Sequence, residues 1–100
     1  MSLDYLVLEN QKKGKIDIGH GVTLIPMVYE GQVVGLIEEH DDNAGARCSG
    51  YVRLRIPLND TTTRPSWAVE SEEPLTLSPS VLCTTCGHHG FIREGKWVPA

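Results

Sequence analysis

Two cysteines stand in the run Cys83-Thr84-Thr85-Cys86, and Gly87, His88 and His89 follow at once. A reduced Cys-x-x-Cys turn that ends in glycine is half of a tetrahedral zinc site. The two thiolates splay from one tight turn, and the glycine accepts the positive φ that lets amide N–H groups point at the sulfurs. The chain offers a second half in His40 and Cys48, with seven residues between them. His40, Cys48, Cys83 and Cys86 are therefore expected to form a closed structural Zn2+ site, with 34 residues separating the two ligand pairs. Metal binding there would close a long loop and stand in for core that a small chain lacks.

Other cysteine chemistries fit less well. A disulfide wants an oxidising compartment, whereas the cysteines number three and no signal peptide is expected ahead of them. A thioredoxin-like pair belongs at the start of a helix, yet Gly87, His88, His89 and Gly90 start helices poorly. A catalytic zinc keeps one position open, and His89 as a fifth candidate ligand leaves that alternative standing.

Length and charge bound what such a site could serve. One hundred residues, 40% of them apolar and 6% aromatic, read as one zinc-stapled domain over residues 1–100 with a thin core. No apolar run nears the roughly 20 residues of a membrane span, so no membrane role is expected, and reduced cysteines point to the cytoplasm. The formal charge is −4, and three zinc-bound thiolates would carry it to about −5. Non-specific nucleic-acid binding needs a basic stripe to replace phosphate counterions. The only basic groupings are Lys12-Lys13-Gly14-Lys15 and the pair Arg53 and Arg55, with Arg47 and Arg64 nearby in sequence. Nucleic acid is the weaker candidate partner.

The elements that must position the ligands read as strands. Period-2 alternation recurs and long 3.6-period stripes do not, so the expected fold is mainly β: a small zinc-ribbon-like antiparallel domain with little or no helix. Tyr5 to Leu8 and Lys15 to Ile18 read as short strands around a polar turn. Val22 to Tyr29 and Gln32 to Ile37 flank Glu30-Gly31, the strongest hairpin signal, and Pro26 marks an edge or a bulge. His40 falls at the end of that hairpin, and a polar loop from Asp41 to Arg47 delivers Cys48. Tyr51 to Ile56 alternates, with Arg53 and Arg55 on one face. Ser66 to Glu70 and Leu75 to Leu77 read as strands around an acidic turn, and Phe91 to Val98 as a closing hairpin turning at Gly95.

Several single residues have bland readings. His20, between two glycines, reads as an exposed turn residue, and His88 as pointing to solvent. Glu38-Glu39 and Asp41-Asp42 lack the spacing of a calcium loop. Trp67 and Trp97 read as core. Ser78 and Ser80 flank Pro79 without a G-x-S-x-G context, which gives them turn or cap roles rather than that of a nucleophile.

The stretch from Trp67 to Trp97, with its Leu77-Ser78-Pro79-Ser80 segment and its Cys86-x-x-His89 element, resembles an uncharacterised bacterial and phage family of small proteins, common in phages of actinobacteria. The resemblance implies a metal-binding β domain of phage or mobile-element origin, acting in the cytoplasm of a bacterial host, and implies no activity. It places the Cys-x-x-His element on Cys86 and His89, which makes His89 a substitute for Cys83 as fourth ligand. The expected function is a non-enzymatic zinc-binding module that contacts a host or virion protein. The alternatives are a nucleic-acid-binding zinc ribbon and a small metalloenzyme with an open zinc site.

Overall fold

The structure, a computed structural model, describes residues 3–42, 44–54 and 66–100. One helix, α1 (Asp4–Lys13), precedes nine strands among these residues: β1 (Ile16–Gly19), β2 (Val22–Tyr29), β3 (Gln32–Asp41), β4 (Arg47–Arg53), β5 (Ala68–Glu72), β6 (Leu75–Ser78), β7 (Val81–Leu82), β8 (His89–Arg93) and β9 (Lys96–Pro99). They form a four-stranded sheet in the order β1-β2-β3-β4, a β5–β6 hairpin, and a three-stranded sheet β7-β8-β9. Every ladder is antiparallel, and an isolated parallel bridge joins Leu54 to Trp67. The chain is mainly β, as its alternation predicts.

The helix corrects the reading of Tyr5 to Leu8 as a strand. That run looks β-like in isolation, but Leu3, Leu6 and Val7 share one helical face and pack on the core. Asp4 at the first turn and Lys12 and Lys13 at the last suit the helix dipole. Gly14, at φ 76°, ends the helix by donating its N–H to Asn10 O at 2.8 Å.

Turn chemistry explains the hairpins. Glu30 and Gly31 (φ 51° and 78°) and Glu94 and Gly95 (φ 52° and 73°) both adopt two consecutive left-handed residues, the two-residue turn that matches strand twist. Pro26 pairs with Leu36 on β3, beyond the reach of β1, whose ladder on β2 spans only Val22 to Leu24. Its missing N–H therefore faces an unpaired edge, and a bulge follows between Met27 and Val28.

The β2–β3–β4 sheet contributes Leu24, Leu36 and Val52 to one hydrophobic cluster, and the later hairpins add Leu75, Leu77, Ile92 and Trp97. Trp97 lies so close over Gly90 that any side chain there would collide with its indole. That contact fixes β9 against β8 on the inner face. Among the described residues, no helix is long and apolar enough to cross a membrane. The expectations for Arg55, Ile56 and Arg64 fall outside the described residues.

Candidate functional site

Strand β3 carries His40 and strand β4 carries Cys48 directly opposite it in the ladder. The strand β4 begins at Arg47, so Cys48 is held inside a ladder rather than delivered by a loop, as its sequence context had suggested. Cross-strand neighbours stand about 5 Å apart and point to the same side. Register alone therefore pairs these two ligands.

The other half comes from the connection between β7 and β8. Gly87 donates its N–H to Cys83 O at 2.8 Å, and Cys83 donates to His88 O at 2.8 Å, which closes the knuckle. Gly87 sits at φ 82°, where a side chain would be strained. The knuckle packs onto the β3–β4 pair. The ligand atoms of His40, Cys48, Cys83 and Cys86 then all lie within 4.8 Å of one another, close enough to hold a metal ion. His40 Nε2 is 3.1 Å from Cys86 Sγ, and Cys48 Sγ is 3.5 Å from Cys83 Sγ. A zinc ion with sulfurs at about 2.3 Å spaces its tetrahedral corners by about 3.8 Å, so a small expansion would admit it.

Strand alternation adds a residue that sequence reasoning passed over. Glu38 lies two positions before His40 on the same buried face, and His40 Nδ1 donates to Glu38 Oε2 at 2.5 Å. A carboxylate on one ring nitrogen fixes the tautomer and leaves Nε2 free for a metal. Burial alone would lower the His40 pKa, but the bonds to Glu38 and Cys86 outweigh it and push the ring up to about 9. The Cys83 thiol is pulled down to about 6, chiefly by the backbone N–H of Cys86 and against the effect of burial. Its hydrogen bond to Cys48 pushes that thiol up to about 11.

His88 does not point to solvent. Its ring stacks on His40 with centroids 4.1 Å apart and on Trp97 at 4.8 Å. Desolvation lowers its pKa, and the neighbouring His40 adds to this. The three stacked rings tie the Cys/His cluster to the core. Arg47, one of the arginines whose convergence a nucleic-acid face would need, is spent on Gly21 O, Thr23 Oγ1 and Asp41.

His89 stands outside the cysteine cluster. It faces the opposite side of β8, where its Nε2 lies 2.8 Å from Ser80 Oγ. The register Val81 to Gly90 and Leu82 to His89 places Ser80 diagonally across from His89, within reach on one face. Trp67 fixes the other end of the serine, donating its Nε1–H to Ser80 O at 3.1 Å. A serine hydroxyl within hydrogen-bond reach of an imidazole is a geometry that a nucleophile and its base adopt. The sequence context of Ser80 pointed to a turn or cap role and did not anticipate this contact; the even spacing of Ser80, Cys83, Cys86 and His89 sets serine and histidine on either side of the knuckle.

Residues 21–100 match the model of the family described as bacterial ubiquitination-like system serine protease (BubE), and the chain belongs to that family. The match begins after α1 and β1. No curated protein and no solved structure matches the chain. The description of that family as a serine protease overturns the expectation of a non-enzymatic binding module, and it names neither a nucleic-acid nor a zinc-enzyme role. The family is bacterial, and its description carries neither the expected phage association nor a metal site.

Proposed function

We propose that the chain is a serine peptidase acting on protein substrates of a bacterial ubiquitination-like system, with Ser80 as nucleophile and His89 as general base. The observation that carries this is the 2.8 Å contact between Ser80 Oγ and His89 Nε2, taken with the family description. Ser80 Oγ attacks the scissile carbonyl carbon as its proton passes to His89 Nε2. Collapse of the tetrahedral intermediate breaks the C–N bond, and His89 returns the proton to the leaving amine. Water, deprotonated by the same imidazole, then releases the acyl group from Ser80.

Zn2+ on His40, Cys48, Cys83 and Cys86 has a structural part in this proposal. Four protein ligands would close the coordination sphere and leave no position for substrate. The ion's effect on the reaction is geometric: the knuckle it locks is the connection between Ser80 and His89, and knuckle geometry sets their separation. Glu38, His40 and Cys86 also line up as carboxylate, imidazole and thiol, the order found in thiol peptidases. Two further thiols within 4.8 Å of these atoms support a metal-holding role for that group instead.

The test is covalent labelling. A fluorophosphonate probe should modify the wild-type chain at Ser80, and neither Ser80→Ala nor His89→Ala should react. Labelling at another serine, or peptide cleavage that survives Ser80→Ala, would sink the assignment.

A further inference from the structure

The outer face of the β7–β8–β9 sheet carries more than the serine and histidine. Alternation turns Val81, Ile92 and Trp97 inward, where each is buried. It leaves Leu82, Phe91 and Val98 outward with Ser80 and His89. The ladders set Leu82 opposite His89 and Phe91 opposite Val98, so the reaction centre is bracketed by apolar side chains. Leu82 is 54% exposed and Val98 36%. A lone exposed leucine is ordinary, but here the apolar groups border a nucleophile on one flat surface. Farther along β8 the face changes character. The Arg93 guanidinium lies over the Phe91 ring, 4.1 Å from its centroid, and Arg93 pairs with Lys96 across the hairpin. Four positions, about 13 Å of extended strand, separate the backbones of His89 and Arg93, and the guanidinium folds back over Phe91 to shorten that reach. On a chain of formal charge −4, the two cations here outnumber the one exposed acid between them at the turn, Glu94.

Resting on the Ser80–His89 assignment, we infer that this face binds an extended peptide with an apolar side chain within two residues of the scissile bond and an acidic group two to four residues farther on. The apolar side chain packs against Leu82 and Phe91 and removes both from water. The acid meets Arg93 and Lys96 at the distance that an extended backbone spans. Charge complementarity selects the direction in which the peptide lies as well as its composition.

Two measurements on the full chain separate this inference from the chemistry it rests on. The first compares cleavage of quenched peptides in which the apolar residue is replaced by Asp, or the acidic residue by Lys. The apolar-acidic peptide should be preferred by about tenfold or more in kcat/KM, the range one apolar contact supplies. Leu82→Asp should erase the apolar preference and Arg93→Glu the acidic one, with zinc content and melting unchanged; Leu82→Ser repeats the test with a milder change. Cleavage by wild type without preference, unaffected by Leu82→Asp, overturns the binding face while leaving the nucleophile intact. The second is an NMR titration of Ser80→Ala with the uncleaved peptide, in which the Leu82 and Val98 methyl signals should shift. Shifts there with no turnover in wild type would keep the binding face and reject the peptidase. No shift at either methyl overturns the inference.

Discussion

The two sides of the β7–β8 hairpin are built on opposite terms. On the inner side, His40, 1% exposed, is bonded to Glu38 and Cys86 and stacked on His88, which in turn stacks on Trp97. On the outer side, Ser80 and His89 meet through one hydrogen bond on an exposed face. The inner side is over-determined, and the outer side inherits its geometry from it. A reactive pair must meet substrate and so gives up burial; it recovers precision by standing one turn away from a cluster that cannot move. The contrast predicts that damage travels outward only.

The largest effect should follow metal loss. A structural zinc in a small domain supplies on the order of 10 kcal/mol, comparable with the whole stability of such a domain. Cys83→Ser, Cys86→Ser or strong chelation should therefore collapse thermal melting and abolish peptidase activity together. Elemental analysis of protein purified without added metal should find about one zinc per chain. In the metal-free chain His40 is protonated up to about pH 9 and Cys48 up to about pH 11. Metal uptake must displace those protons, so zinc affinity should climb as pH rises from 6 toward about 9 and fall on acidification. Metal-free protein with unchanged melting would dissolve the comparison.

Damage on the outer side should stay there. Ser80→Ala and His89→Ala should each lower kcat by at least about 10³-fold, as removal of a nucleophile or its base does. Both should leave zinc content intact and shift melting by no more than a few degrees, because one exposed hydrogen bond contributes about 1 kcal/mol. If His89→Ala emptied the metal site, the histidine would belong to the inner cluster and the division between the two sides would be wrong.

Glu38→Gln probes how the inner side is braced. The amide keeps the shape of the carboxylate but removes the charge that orients and polarises His40. Changes of this kind cost about 10–100-fold in metal affinity. Competition with a chromophoric chelator should read that loss while the fold persists at saturating zinc. Equal affinity for the two forms would mean that packing by His88, not the carboxylate, holds the ring.

Sequence made the inner side far more legible than the outer. Cys-x-x-Cys-Gly at 83–87 is a local pattern with one geometric meaning, and the hairpin at Glu30-Gly31 carried His40 to the end of a strand by simple extension. Glu38 was legible in principle, since i and i+2 share a strand face, but two successive glutamates beside two aspartates look like a solvated run. The Ser80–His89 pair depended on the register across the knuckle, which no single residue announces. A G-x-S-x-G elbow announces a serine at a strand–turn–helix junction, whereas Ser80 stands before a two-residue strand. Helix α1 was hidden because Tyr5-Leu6-Val7-Leu8 has β-like composition, and only packing against the core decides its period.

The smallest effect asks whether the outer side has any brace of its own. Trp67 is such a brace, through its Nε1–H bond to Ser80 O at 3.1 Å. Trp67→Phe keeps an aromatic ring against the core and removes that donor. The lost bond is worth about 1 kcal/mol, and the smaller ring adds a modest packing cost, so melting should fall by several degrees. Zinc content should not change, because the Trp67 indole bonds to Ser80 and is not one of the four candidate ligands. The informative quantity is the rate of Ser80 labelling by a fluorophosphonate, measured well below the melting point. If Trp67 fixes the serine, labelling should slow by about threefold to tenfold, in keeping with a misplacement of the nucleophile by a fraction of an ångström. An unchanged rate at lower melting would mean that Trp67 only packs, and that the zinc knuckle alone sets the distance between Ser80 and His89.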